Sequence, residues 1–118
     1  MKIVDAIKKD VAVLTLHGNM LEPDTNELAD KVKAHVENNI RTVVIDLNDV
    51  KRMNSAYGLG ILMTCFFIMN RAGGELRLAN LNEKEQNILK VTKLDHIFKI
   101  YDNIEEAVNS PNTSSKIV

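Results

Sequence analysis

Residues 42–74 read TVVIDLNDVKRMNSAYGLGILMTCFFIMNRAGG. The β-branched run Thr42-Val43-Val44-Ile45-Asp46-Leu47 has the composition of a buried parallel strand. Residues 48–57 turn polar and read as a loop. Gly58 and Gly60 then open the most apolar segment of the chain, a helix that Gly73-Gly74 stops. This is a strand, a loop and a helix, with Ser55 at the threshold between two buried runs.

Working outward, residues 2–8 (KIVDAIK) and 11–17 (VAVLTLH) read as two strands. The short link Lys9-Asp10 makes them an antiparallel hairpin, and Gly18-Asn19 ends the second. Pro23-Asp24-Thr25 opens a helix, with Asp24 as N-cap and Glu27 at capping-box spacing. Leu28, Val32 and Val36 form its apolar face, and Asn38-Asn39 ends it. Downstream come a strand at 75–79 and a helix over 83–92 with Ile88, Leu89 and Val91 inward. A short strand at 97–101 and a helix over 103–108 capped by Asp102 or Asn103 follow. The tail SPNTSSKIV has little to bury and is expected to be disordered. The order β-β-α-β-α-β-α-β-α predicts one α/β domain over residues 1–109, with a tail at 110–118. Its sheet is mostly parallel, with an N-terminal antiparallel hairpin and about four helices. Sites in such sheets favour the carboxyl ends of strands, where Ser55 falls.

Composition narrows the function. The 118 residues fit one domain, 45% of them hydrophobic and 26% charged. Fifteen basic and 16 acidic residues give a net charge of −1 with no basic block, so a direct nucleic-acid role is not expected. The longest apolar stretch, Ile61 to Met69, is interrupted by Thr64 and is about half a membrane span. Asp5 and Lys8 break any apolar leader, and the single Cys65 suits a reducing compartment. These features predict a cytoplasmic protein with no membrane partner.

A serine at this threshold has three readings. It caps the helix, contributing about 1 kcal/mol; it is a catalytic nucleophile; or it accepts a phosphate held by the helix N-terminus. No nucleophile-elbow pattern surrounds it. His17, His35 and His96 are scattered, without metal-ligand spacing, and His35 reads as a surface residue. Cys65 reads as a buried, inert thiol. Met63, Phe66, Phe67 and Met69 read mostly as core, although a helix apolar on more than one face can hold an interaction patch. Gly58-x-Gly60 lacks the third glycine of a dinucleotide fingerprint. No cofactor and no metal are expected. Asp46 reads as structural, bonding loop NH groups.

The stretch VVIDLNDVKRMNSAYGLGILM resembles the signature of STAS domains of the anti-sigma factor antagonist family. That pattern is an apolar strand ending in Asp-Leu, a loop, then Asp-Ser-Ser/Thr-Gly-Leu-Gly opening an apolar helix. VAVLTLHGNM upstream, and AGGELRLANL and ILKVTKLDHIFKIYDNIEEAV downstream, extend the likeness over about residues 4–109. The resemblance implies a non-enzymatic binding module. Its partner would be an anti-sigma factor serine kinase of the histidine-kinase-like ATPase type, which phosphorylates it and thereby lets it go. A serine phosphatase would reset the cycle. Counted from the strand, the family phosphoacceptor falls on Ser55, with Asn54 in place of the family Asp. Counted back from Gly58-Leu59-Gly60 it falls on Ala56, because Ala56-Tyr57 fills a one-residue position; the strand-side count is gapless and preferred. Asn54, Ala56, Tyr57, Gly58 and Leu59 would shape the docking surface, with Lys51 and Arg52 able to steer an acidic partner. The same resemblance leaves room for a STAS subunit of a stress-sensing or lipid-transport complex without a phosphorylation cycle. A hydrolase or transferase using Ser55 is the rival from another class.

Overall fold

The computed structural model describes residues 2–20, 26–53 and 55–111; the side chains of Asn26 and Ser55 lie outside the description. The elements are β1 (Lys2–Lys8), β2 (Val11–Met20), α1 (Asn26–Glu37), β3 (Thr42–Met53), α2 (Ser55–Arg71) and β4 (Glu75–Ala79). After them come α3 (Glu83–Val91), a 3₁₀ turn (Leu94–His96), β5 (Lys99–Tyr101) and α4 (Ile104–Asn109). The expected order is thus present, with the 3₁₀ turn added. Five strands form one sheet in sequence order, β1-β2-β3-β4-β5. β1 and β2 pair antiparallel, and every later pairing is parallel.

Local sequence explains the joints. Lys9 and Asp10 both take positive φ (51° and 65°), the conformation of a two-residue turn whose twist suits a hairpin. α1 ends with Asn39 at φ 65°, and the Ile40 NH reaches back to the His35 carbonyl at 2.9 Å. α2 ends the same way: Gly73 takes φ 75° and the Gly74 NH donates to Met69 O at 2.8 Å. A Cβ on Gly74 would lie 2.5 Å from the Arg41 carbonyl, so β3 and β4 can start side by side only with glycine there. Asn82 and Glu85 form a reciprocal capping box on α3. Asn103, not Asp102, caps α4.

The two sheet faces are unequal. Ala12, Leu14 and Leu16, with Val43, Ile45 and Leu47 and with Leu76 and Leu78, point to one side. There they meet Leu28 and Val32 of α1, Leu62, Cys65 and Met69 of α2, Leu89 of α3 and Phe98. On the other side Val11, Val13, Val44 and Ala79 meet Ala107 of α4, with Tyr101, Ile104 and Val108 against them. α4 has six residues and is fixed by more than apolar contact. The Arg77 side chain is 1% exposed and crosses this smaller core. Its Nε donates to Glu75 Oε2 at 2.6 Å, Nη1 to the Ala107 carbonyl at 2.6 Å and Nη2 to the Pro111 carbonyl at 3.0 Å. Its guanidinium also lies 5.5 Å from the Tyr101 ring centroid.

Several expectations need correction. β2 does not stop at Gly18-Asn19 but runs to Met20, and β3 runs through the expected loop to Met53. α2 starts at Ser55, not Gly58. β5 starts at Lys99 because residues 94–96 take the 3₁₀ turn. Val91 and Phe67 are 74% and 53% exposed rather than core. His35 is half-buried, its Nε2 shared between the two Asp5 carboxylate oxygens at 2.9 and 3.0 Å, and so ties α1 to β1. Ser110 and Pro111 belong to the fold: the Ser110 NH and Oγ both bond Glu106 O, and Pro111 accepts from Arg77. The Asp24 cap and residues 112–118 of the expected tail lie outside the described residues.

Truncating Arg77 takes an ion-pair partner from the Glu75 carboxylate and the guanidinium donors from two carbonyls in the smaller core. Arg77→Ala is expected to cost about 3–5 kcal/mol of stability by urea unfolding. Glu75→Leu/Arg77→Met is expected to recover part of that, since both charges leave together while the two carbonyls stay unpaired.

Candidate partner-docking surface

β3 outruns its neighbour. It pairs with β4 only over Thr42–Asp46 but stays paired with β2 until Met53 opposes Met20. β1 begins at Lys2, opposite His17. Beyond those points β2 and β3 continue as a two-stranded ribbon. Between paired ends, β3 uses two more residues than β2, with register shifts at Thr15/His17 and Gly18/Asn19. Each shift is a bulge, which twists the strand and re-aims its side chains. Leu47, Val50 and Met53 therefore face inward at a spacing of three.

Asp46 sits where the sheet narrows. Its carboxylate accepts from the Asn48 NH at 3.0 Å, from Asn80 Nδ2 at 2.9 Å and from Thr15 Oγ1 at 3.4 Å. One buried side chain thus joins β2, the bulge in β3 and the chain leaving β4, which is the structural role expected for it. On the ribbon, Nδ1 of His17 lies 2.5 Å from Oδ2 of Asp49, and Lys51 Nζ lies 3.7 Å from Oδ1. The hydrogen bond from His17 holds the Asp49 carboxyl below its usual value of 3.8; desolvation is the next-largest effect and opposes it, and Lys51 and the charge of His17 add to the lowering.

α2 starts at Ser55, directly off this ribbon. Asn54 lies outside the described residues. Of the other residues expected to form the surface, Ala56 and Tyr57 are exposed, Tyr57 to 44%. Leu59 is half-buried against the core and Gly58 is buried. A Cβ on Gly58 would overlap the Met53 side chain, so this glycine makes room for Met53 at the joint between ribbon and helix. Gly60 is different: it is exposed, and a Cβ there meets nothing within 4 Å. Lys51 and Arg52 are exposed on the ribbon, and no acidic residue lies in the first turn of α2. Cys65 is buried, and burial pushes its thiol up to about 12, as an inert thiol requires. Among the described residues no group of three His, Cys, Asp or Glu side chains is placed to hold a metal, and no helix is long and apolar enough to cross a membrane.

Two outcomes follow for the joint and the ribbon. Gly58→Ala is expected to destabilise by about 1–3 kcal/mol through overpacking on Met53. Gly60→Ala is expected to stabilise by about 0.5–1 kcal/mol, because it removes a glycine from an exposed helix position; thermal unfolding of both variants checks the contrast. His17→Ala is expected to return the Asp49 carboxyl toward 3.8, followed by carboxyl-carbon NMR titration. Because the folded value is the lowered one, the pair stabilises above 3.8 and its contribution is lost as pH falls through the folded value.

Comparison with known proteins agrees with this geometry. A candidate anti-sigma factor antagonist from Thermotoga neapolitana is 35% identical over 66 residues, 56% of this chain and 58% of that protein. The anti-sigma F factor antagonist of Paenibacillus polymyxa is 31% identical over 61 residues, 52% and 51% of the two chains. The chain thus matches a little over half the length of these curated relatives. In three dimensions, the crystal structure of a candidate anti-sigma factor antagonist from Thermotoga maritima has a TM-score of 0.72 at 27% identity, over 90% of this chain and 91% of that one. The anti-sigma factor antagonist SpoIIAA in its unphosphorylated form shares the fold alone, with a TM-score of 0.70 at 13% identity over 91% and 94%. The STAS domain profile matches residues 2–107, and the chain belongs to the STAS-domain family.

Proposed function

We propose that this protein is an anti-sigma factor antagonist. It binds an anti-sigma factor kinase of the histidine-kinase-like ATPase type through the corner where the ribbon meets α2. Phosphorylation of Ser55 by that kinase releases it, and a serine phosphatase restores the binding form. The observation that carries this reading is the position of Ser55 at the first residue of α2, directly off a projecting ribbon. A phosphate on that residue adds about 1.5 to 2 negative charges at pH 7. The helix N-terminus favours such a charge by about 0.3–1 kcal/mol, and the acid-free first turn adds no repulsion. The same charge at the centre of a docked surface costs far more when it is desolvated against the partner. Folding tolerates the modification and docking does not, which is what a release switch needs. The names of the relatives agree with this role.

Nucleophilic catalysis by Ser55 is less well supported. A base must come within hydrogen-bond reach, about 3 Å. Asp49 holds Nδ1 of His17, which leaves Nε2 as a base in principle, so distance decides. Along β2, Met20, which opposes Met53, lies three residues beyond His17, roughly 10 Å at strand rise.

Intact mass after incubation with ATP and each purified candidate kinase of the source genome tests the switch. A gain of one phosphate that Ser55→Ala abolishes is the expected result. A stable complex without phosphate would make the protein a STAS subunit with no phosphorylation cycle, a role that Asn54 in place of Asp would suit. Neither complex nor phosphate with any candidate kinase would sink the antagonist reading.

A further inference from the structure

α2 lies on the surface yet carries no charge from Ser55 to Asn70; Arg71, its last residue, is its only charged side chain. α1 beside it is ordinary, with Glu27, Asp30, Lys33 and Glu37 exposed. The inward residues of α2 account for only part of its apolar content. Its exposed residues are Ala56, Tyr57, Gly60, Thr64, Phe67, Asn70 and Arg71, an outward face with helical spacing that begins next to Ser55. The Thr64 hydroxyl bonds the Gly60 carbonyl at 3.0 Å, so even this polar side chain is satisfied on its own helix.

Phe67 is the prominent feature of that face. It is 53% exposed but not loose. Its ring meets Phe66 edge-on at 5.7 Å between centroids, and Phe66 meets Phe98 edge-on at 5.9 Å. Phe98 is 4% exposed, within the core. An exposed aromatic braced through a second ring to the core loses little freedom when a partner covers it, the property of an interface anchor. Gly60 gives an independent sign. A helix-interior glycine costs roughly 1 kcal/mol relative to alanine, and nothing among the described residues requires it, since a Cβ there would meet none of them within 4 Å. A partner packed closely against the helix supplies the reason.

We infer that the surface that docks the anti-sigma factor kinase extends from Ser55 along the uncharged face of α2 to Phe67, and that Phe67 anchors it in an apolar pocket of the kinase. This deepens the antagonist reading and rests on it. Size favours the kinase as occupant. A stable complex buries about 800 Å² on each partner. The face from Ala56 to Phe67 adds about 16 Å of helix at 1.5 Å per residue, continuous with the residue that the kinase must reach. Phosphorylation at one end then acts on a contact held at the other, so release needs only the Ser55 end to become unfavourable.

The test is titration calorimetry of the kinase that forms the complex described above, with wild-type protein and three variants. Phe67→Asp is expected to raise Kd by about 30-fold or more, the size of a hot-spot loss. Gly60→Ala is expected to weaken binding while raising Tm of the free protein, a split that no folding defect produces. Val91→Asp, which alters an exposed apolar residue on α3, is expected to leave Kd within twofold of wild type. Phe67→Asp binding like wild type overturns the inference while the antagonist reading stands; so does Val91→Asp binding as weakly as Phe67→Asp. Wild-type protein that binds no kinase overturns both. Sedimentation velocity of the protein alone is expected to show a monomer; a dimer dissolved by Phe67→Asp would assign the face to a second copy and overturn the inference.

Discussion

The carboxylate of Asp46 governs where the sheet ends and the site begins. Up to that residue β3 has a strand on each side; past it, β4 has turned away and β2 alone remains. Such a fork leaves backbone groups unpaired on the side where a strand departs, and each must find another partner. Asp46 answers part of this need with one buried side chain. It accepts from the Asn48 NH within the bulge, from the side-chain amide of Asn80 as the chain leaves β4, and from the Thr15 hydroxyl on β2. With the fork closed in this way, β2 and β3 can run on as a ribbon. The ribbon then carries the chain past the boundary of the sheet to the start of α2.

The same geometry explains which parts of the fold were legible in the sequence. The regular pieces were: the hairpin, the Val43–Leu47 strand, the α1 stripe of Leu28, Val32 and Val36, and the glycine stop after α2. Each depends on local pattern. The ribbon was not legible, because strand recognition relies on a period of two and the bulges change it to three. Asn48, Asp49, Lys51 and Arg52 read as loop residues for that reason, and Gly18-Asn19 read as a turn although it lies within a register shift. The Arg77 cluster was hidden for another reason. Its partners are backbone carbonyls about thirty residues away, and no side-chain motif marks them. Its visible trace is the pair Glu75 and Arg77, two charged residues on one face of the fully buried strand ELRLA.

The site was legible in part. Ser55, Ala56 and Tyr57 were expected from the signature, and the structure places the last two on the surface. Gly58 and Gly60 looked equivalent in sequence, but the structure separates them by what each would touch: Met53 for one, open space for the other. Phe67 was read as core because hydrophobic content alone does not tell which face of a helix is covered. With Cys65 and Met69 buried and Phe66 half-buried, the helical rotation leaves Phe67 outside.

α2 meets two demands at once. Its inner face must complete the larger core, for which Leu62, Cys65 and Met69 suffice. Ordinary solubility would then favour charges on its outer face, as α1 has. The outer face has none before Arg71 and keeps a glycine that costs helix stability. A surface that departs from the solvated pattern at the expense of the isolated fold is one shaped by something other than folding. The departure begins at the serine whose charge state is proposed to change, and a neutral helix face suits that role. Under the proposed switch, a phosphate on Ser55 adds a negative charge at the start of a face that has none, close in the chain to the exposed Lys51 and Arg52 of the ribbon.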